Sequence, residues 1–398
     1  LTGNDRLFTI DPGVPFLETL AHALMKGQLV KGFNHDRSDP LSLADATIFV
    51  PTRRAARALR SQFCDLIGSG SAILPVIRPL GEMDEDAGYF DETSPQTLSQ
   101  APPIGRTDML LELAQLILAW KRALPHSVSA LHGDKPLVTP VGPADAVWLA
   151  RALSDLIVEM ESEERPWAML DEIDPGDHAE WWQLTLEFLK IARDFWPARL
   201  EERGLTSPGF NRNATLKAIA RRLETHPPPG PVIMAGSTGT LPATANLIAT
   251  VLNMEKGAVV LPGLDRSMRQ EHWQPLDLAI AAARARSLSP TRIDKSLHQR
   301  DTHDPTLPGH PQYGLSLLLD RLRVGREEAR PLGHAEPFIA LRNRIVSSAF
   351  LPAEGTADWP DLHAQFTADE IVSAFATVTL IETENEREEA QAIALAIR

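Results

Sequence analysis

The stretch Thr47–Phe63, TIFVPTRRAARALRSQF, decides how this chain is read. Thr47, Ile48, Phe49 and Val50 are β-branched or aromatic and predict a buried strand. Pro51 and Thr52 predict a tight turn into a helix: proline fixes φ and has no N–H to lose, and the threonine hydroxyl can cap. Ala56, Leu59, Phe63 and Ile67 recur at helical spacing and are assigned to the face that meets the sheet. Arg53, Arg57 and Arg60 share a different face, with Arg54 beside them. A strand that delivers a helix N-terminus and a group of arginines to the carboxyl edge of a sheet is an arrangement that contacts phosphate. The same arginines also read as a solvated basic helix face.

Outward from this stretch, a length of 398 residues suggests two or three domains with room for real cores. With 43% hydrophobic and 23% charged residues, the composition is that of an ordinary soluble globular protein. No run of about 18 apolar residues exists, so no membrane span is expected. The start, LTGNDRLFTI, lacks the basic and apolar regions of a signal peptide. A single cysteine, Cys64, excludes intramolecular disulfides and cysteine-held metal clusters within these residues and fits a cytoplasmic location. The formal net charge of −14 argues against a surface that is basic all over, but leaves room for one basic groove. Residues 51–60 carry four arginines and no acid. The chain starts without Met and ends at Arg398 within a helical pattern, so a fragment of something longer is expected.

Leu7–Ile10 predicts a strand, Asp11–Pro15 a loop, and Phe16–Leu24 a helix, which makes a β–loop–helix unit ahead of the one at Thr47. Ile73–Pro79 reads as a third strand or an extended segment, and Glu82–Glu92 as an acidic surface loop. From Gly105 the pattern turns helical. Met109, Leu110, Leu113, Leu116, Ile117 and Trp120 form one stripe. Val147, Trp148, Ala150, Leu153, Leu156 and Ile157 form another, and Trp181–Phe195 and Ala214–Leu223 give two more helices. No convincing strand falls between residues 105 and 225. After the stiff linker His226–Pro231 the α/β pattern returns, with strands at Val232–Ala235 and Ala258–Leu261 and a helix at Pro242–Leu252 between them. Asp265–Gly314 is expected to be partly irregular, and Leu315–Leu322 a short helix. Thr377–Ile381 is expected to be a strand, followed by a helix with Ala390, Ile393, Ala394 and Ile397 on one face. The fold class is therefore α/β with a parallel sheet and an inserted all-helical block.

The first β–loop–helix occupies the place where a P-loop NTPase carries GxxxxGK[ST]. That chemistry needs a run of N–H groups around the phosphates, a lysine to the β/γ oxygens and a hydroxyl on Mg²⁺. Asp11, Pro12, Gly13, Val14 and Pro15 supply one glycine, two prolines without N–H, and no lysine before the helix; no Gly-Lys dipeptide occurs in the chain. A working Walker A motif is absent. Leu170-Asp171-Glu172, the acidic candidate for its partner motif, falls in the helical block and reads as a surface helix end. Asp84-Glu85 and Asp91-Glu92 read as exposed acidic loop.

Gly236-Ser237-Thr238-Gly239-Thr240 follows a strand and opens a helix, so its amides can form an anion-binding nest or simply a glycine turn capped by Ser or Thr. The histidines, His226, His303 and His310 among them, have no metal-ligand spacing, and no metal site is assigned. His310–Gly314 reads as a turn before a helix, and Glu384, Glu386, Glu388 and Glu389 as a negatively charged helix start. The tryptophans are assigned mostly to packing.

FTIDPGVPFLETLA, ATIFVPTRRAARALR with ILPVIRPLGEMDED, VIMAGSTGTLPATANLI, VVLPGLD, HPQYGLSLLLDRL and LIETENEREEAQAIALAIR together resemble the AddB subunit of the AddAB helicase–nuclease in its alphaproteobacterial form. They occur in family order across nearly the whole chain. The resemblance implies a P-loop NTPase-like fold of the superfamily 1 helicase type. It places the first part of a RecA-like domain at residues 1–100, a helical insertion at 101–227, the second part at 228–375 and the start of a second RecA-like domain at 376–398. It also implies double-strand-break repair as a heterodimer with AddA, the subunit with an intact motor, and no membrane partner. Pro51–Ala56 resembles the helicase motif that contacts single-stranded DNA, and the loop at Asp11–Pro15 is similar to that of relatives whose ATP site is lost. Full-length relatives continue to a nuclease with a cysteine-bound iron–sulfur cluster and Mg²⁺, so neither cofactor is expected here.

The expected function is thus non-catalytic: Thr52, Arg53, Arg54 and Arg57, with Ser237 and Thr238 as further candidates, contact the phosphates of single-stranded DNA without reading sequence. Two alternatives are an enzyme acting on a phosphorylated small molecule at the Gly236–Thr240 turn, which needs a closed polar pocket there, and a scaffold whose helical block binds AddA.

Overall fold

The computed structural model describes residues 5–36, 38–68, 70–80, 101–123, 142–172, 179–288 and 307–398. The first half of the α/β part runs β1 (Leu7–Ile10), α1 (Phe16–Met25), β2 (Thr47–Val50), α2 (Arg53–Ile67) and β3 (Val76–Pro79). The helical block follows as α3 (Arg106–Ala123), α4 (Pro143–Ser162), α5 (Ala179–Lys190), α6 (Trp196–Arg203) and α7 (Pro208–Thr225). The chain then returns to the sheet with β4 (Val232–Ala235), α8 (Pro242–Asn253), β5 (Gly257–Pro262), α9 (Gln270–Leu288), α10 (Tyr313–Leu322) and β6 (Arg330–Pro331). It closes with α11 (Pro337–Ala349), α12 (Trp359–His363), α13 (Ala368–Phe375) and α14 (Glu386–Ile397).

The strands form one sheet in the order β3-β2-β4-β5-β1-β6, and every pair is parallel. Leu7 lies opposite Val259, Thr47 opposite both Val232 and Val76, and Val232 opposite Gly257. Helices cover both faces, which is why β1, β4 and most of β5 are continuous buried runs rather than alternating ones. The strand period of two then sorts the side chains between the faces. Phe8, Ile10, Ile48, Val50, Ile233, Ala235, Ala258 and Val260 pack on α1 and α2. Leu7, Phe49, Val232, Met234, Val259 and Leu261 pack on α7, α8, α9 and α10.

The helical block has its own core, with Met109, Leu113 and Ile117 of α3 against Ala146, Ala150, Leu153 and Ile157 of α4, joined by Trp196 and Leu200. Among the described residues its extended pairing amounts to an isolated bridge, Pro103 to Thr206. Trp148, assigned to packing by its spacing, is 71% exposed, and Val147 lies beside it at the surface. The buried stripe of α4 starts at Ala146 and skips to Ala150, so those two residues fall outside it.

One expectation is sharpened and one is corrected. Within Asp265–Gly314, expected to be partly irregular, Gln270–Leu288 forms the 19-residue helix α9. Pro275 obscured it by sitting inside the helix, although Trp273, Leu276, Ala279 and Ile280 mark a buried face at helical spacing. Thr377–Ile381 is not a strand. Its β-branched residues have no sheet neighbour among the described residues, and Val378, Leu380 and Ile381 are exposed, so pairing rather than propensity was missing.

Candidate functional site

Thr52 caps α2 as its position suggested. Its backbone is extended, and its side chain accepts a hydrogen bond from Ala55 N at 3.1 Å. Ala56, Leu59 and Phe63 anchor the helix in the core, and its first turn holds no acid. Arg53, Arg54 and Arg57 are exposed beside that N-terminus. Arg60 is diverted, its Nη2 donating to Ile77 O of the edge strand at 3.0 Å, so it fastens α2 to β3.

β4 is the sheet neighbour of β2, and this brings the second candidate turn alongside the first. Gly236 has φ +77°, and a Cβ there would stand 3.5 Å from Pro51 Cδ and 3.3 Å from the Phe16 ring. The turns after β2 and β4 therefore lie side by side on the carboxyl edge, and the Phe16 side chain reaches across to them from the start of α1. Ser237 Oγ accepts from Gly239 N at 3.2 Å, so the serine shapes the turn from inside. Thr238 is exposed.

Arg321 of α10 holds the far side of that turn. Its Nη1 donates to Thr240 O at 2.8 Å and to Gly239 O at 3.3 Å. The carbonyl and the N–H of one peptide unit point in opposite directions. Gripping those carbonyls therefore turns the N–H groups of Thr240 and Leu241 away from Arg321, in the manner of an anion nest. The helix that follows, α8, has Leu241 at its N-cap and no side-chain cap, so its first amides lack side-chain partners. The Thr244 hydroxyl, in that first turn, is buried and also lacks a partner. Burial pushes the Arg321 guanidinium below its ordinary value, and the nearby Glu163 carboxylate works against that shift.

The Asp11–Pro15 loop is a different case. In an open parallel sheet, ligands sit where connections leave neighbouring strands in opposite directions. Two neighbouring pairs meet that condition here: β2 and β4, whose chains leave for β3 and β5 on opposite sides, and β1 and β5, whose chains leave for β2 and β6. The Asp11–Pro15 loop sits at the β1/β5 point, and that point is filled by the protein itself. Val14 N bonds to Asp11 O at 3.2 Å, closing a tight turn, and Pro12 and Pro15 have no N–H to offer. Pro12 O accepts from Asn343 Nδ2 of α11 at 2.9 Å. Gly13, at φ +82°, lies so close to α11 that a Cβ would come 2.6 Å from Ile339 Cγ2. Across the crevice, Pro12 abuts Gly263, while Gln312 donates to Gly263 O at 3.1 Å and accepts from Asp265 N at 3.0 Å.

The other candidates have local roles. Leu170, Asp171 and Glu172 end a short 3₁₀ stretch in the helical block. Asp84-Glu85, Asp91-Glu92 and His303 lie outside the described residues. His226 Nδ1 meets the neighbouring Thr225 hydroxyl at 2.9 Å, and His310 Nε2 meets Phe350 O at 2.7 Å. At α14, Glu388 Oε2 accepts from Glu384 N at 3.2 Å, while Asn385 caps the helix through Glu388 N at 3.1 Å.

One grouping escaped the sequence reading. Glu271, His272 and Asp358 bring a ligand atom each to within 4.8 Å of one another. Asp358 is 86 residues from His272, so no local spacing announces it. Two cavities of the described residues lie away from the Gly236–Thr240 turn. One, of about 810 Å³, opens between Arg6, Lys31, Lys256 and Arg330 at the amino end of the sheet; the other, of about 240 Å³, lies between His272, Arg344 and Gln365. No helix of the described residues is long and apolar enough to cross a membrane. No family model and no curated protein sequence matches the chain.

Proposed function

We propose that this chain is the non-catalytic, helicase-like region of a DNA double-strand-break-repair helicase–nuclease subunit of the AddB kind, paired with AddA as the motor. It lays the backbone of single-stranded DNA across the carboxyl edge of its sheet. The observation that carries the reading is the contrast along one edge. The nucleotide position after β1 is filled by Pro12, Ile339, Asn343 and Gln312, whereas the turns after β2 and β4 lie side by side, the first with exposed arginines and the second with its carbonyls held by Arg321. Thr52, Arg53, Arg54 and Arg57 are the main phosphate contacts, with Ser237 and Thr238 beside them. Contacts of this kind hold any sequence.

The six parallel strands with helices on both faces are compatible with a P-loop NTPase-like fold, and the superfamily 1 assignment is part of the proposal. An enzyme of phosphorylated small molecules at Gly236–Thr240 would need a closed polar cavity beside that turn, and the two cavities described above lie elsewhere. The scaffold reading gains from Leu111, Trp148, Phe195 and Phe210, all more than half exposed on the helical block, and is compatible with DNA on the sheet edge.

The test is filter binding of single-stranded DNA, with AddA present, by wild type and by an Arg53/Arg54/Arg57→Ala variant. Losing three single-strand phosphate contacts should lower the slope of log K against log salt by about 2, at about 0.7 per phosphate. Equal affinity and equal slope in both proteins would overturn the assignment.

A further inference from the structure

We propose that Glu271, His272 and Asp358 form a binding site for a divalent transition metal, Zn²⁺ being the best fit. The site would tie the start of α9 to the 3₁₀ stretch Ala353–Asp358 ahead of α12. The donor set is an imidazole nitrogen and two carboxylates. Imidazole suits zinc, copper, iron and nickel, whereas sites made only of oxygen suit magnesium and calcium. Three protein ligands leave a fourth tetrahedral position for water.

The geometry is close to what such an ion needs. His272 Nε2 and Asp358 Oδ2 are 2.8 Å apart, and Glu271 brings its oxygen within 4.8 Å of both. A tetrahedral zinc with bonds of about 2.0–2.2 Å spaces its ligand atoms by roughly 3.3 Å. The His–Asp pair must therefore open by roughly half an ångström, while Glu271 swings inward. Glu271 can make that move because its side chain is 63% exposed. Arg269 pairs with its Oε1 at 3.3 Å and leaves the second oxygen for the ion, so the arginine can stay as an outer partner that orients the carboxylate.

Two further features distinguish this group from a chance surface cluster. The His272 side chain is 4% exposed, so its ring is held by packing rather than swinging free. Gly355 lies directly against it: a Cβ there would stand 3.0 Å from Cδ2 and 3.6 Å from Nε2 of the imidazole. The Gly355 backbone thus packs on the imidazole and helps fix its orientation, and any side chain there would crowd the ring.

The experiment uses the full chain, stripped with chelator and titrated with ZnCl₂ by calorimetry, with thermal melts at each end point. Wild type should bind one Zn²⁺ and melt several degrees higher when loaded. Asp358→Asn and Glu271→Gln act on a half-exposed and an exposed carboxylate, and the amide introduced by Asp358→Asn retains an oxygen for His272. Their metal-free melts should match wild type. Each should bind Zn²⁺ more than about tenfold more weakly, since even an outer partner of a metal site is commonly worth that much. Co²⁺ in place of Zn²⁺ should give a visible absorption band in wild type that both variants lose. No uptake by wild type, or uptake undiminished in both variants (an adventitious ion only), would overturn the proposal.

Discussion

Arg321→Met tests whether the Gly239–Thr240 turn is held from behind. Methionine keeps most of the apolar stem, so packing is largely preserved and the loss is confined to the guanidinium. Two hydrogen bonds go, to Thr240 O at 2.8 Å and to Gly239 O at 3.3 Å. A bond to a charged group is worth about 1.5–3 kcal/mol at most, and the longer one less. Thr240 is exposed, so water can replace the guanidinium there, whereas Gly239 is buried and its carbonyl is left poorly partnered. Against this, a half-buried cation is removed, whose desolvation already pulls its pKa down, and Asp320 stays paired with Arg284 at 2.9 Å. The balance is a loss of about 1–2 kcal/mol, read as a lower urea midpoint at unchanged m, or a Tm lower by about 1–3 °C. Single-stranded DNA should bind more weakly with its salt slope unchanged, because Arg321 orients amides and touches no phosphate. An unmoved midpoint would refute the grip on the carbonyls, and a slope smaller by about 0.7 would make Arg321 a phosphate contact itself.

Glu161 is half-buried between α4 and α7, where it accepts from Ser207 Oγ and, at 3.3 Å, from Phe210 N; burial raises its pKa above the ordinary glutamate value, and those hydrogen bonds oppose the rise. A raised folded pKa gives stability that is complete below the unfolded value of 4.5 and is lost as pH climbs through the folded one. Between pH 4.5 and neutrality wild type should therefore lose stability relative to Glu161→Gln in parallel urea melts, and curves that stay parallel would refute the shift. Gly257→Ala places a Cβ 1.7 Å from Val251 O, a backbone atom that cannot give way, and should cost about 3 kcal/mol or more. Gly32→Ala, at φ +78° with nothing within 4 Å, should cost only about 1 kcal/mol, and equal urea midpoints for the two variants would defeat the steric argument.

Local signals were legible in the sequence wherever one segment settled its own structure. Thr47–Val50 is a strand because its residues suit a buried sheet, and Thr52 caps because the next element is a helix. What was not legible depended on partners distant in the chain. Thr377–Ile381 has the composition of a strand and lacks a neighbour, while α9 hides behind a proline that its tertiary packing tolerates. The same limit governed the site. Thr52–Arg57 and Ser237–Thr238 were separately visible as places for an anion, but their adjacency is a property of strand order, with β2 beside β4. Arg321 gave no signal at all, since its partners are the carbonyls of Gly239 and Thr240, some 80 residues away. The Glu271–His272–Asp358 group was invisible for the same reason.

The closure of the β1 position and the openness of the β2/β4 position are linked by what each does with its backbone groups. A strand end and the following helix start expose amides and carbonyls that must be bonded by a ligand, water or protein. At β1 the chain has removed N–H groups with Pro12 and Pro15, and two side-chain amides bond two carbonyls and one N–H around the crevice: Asn343 to Pro12 O, and Gln312 to Gly263 O and Asp265 N after β5. A triphosphate arriving there would have to break these bonds and displace Ile339 from Gly13, with no lysine to offset the cost. At β4 the carbonyls of Gly239 and Thr240 are taken by Arg321, so the N–H groups of Thr240 and Leu241 face away from it, one strand away from Arg54 and Arg57. A compact nucleotide gains little from an open edge of that kind. A polyanion lying across it can meet the Thr52 helix start, the arginines and the Gly239 turn in succession, and its affinity then grows with the number of phosphates engaged rather than with the fit of any one pocket.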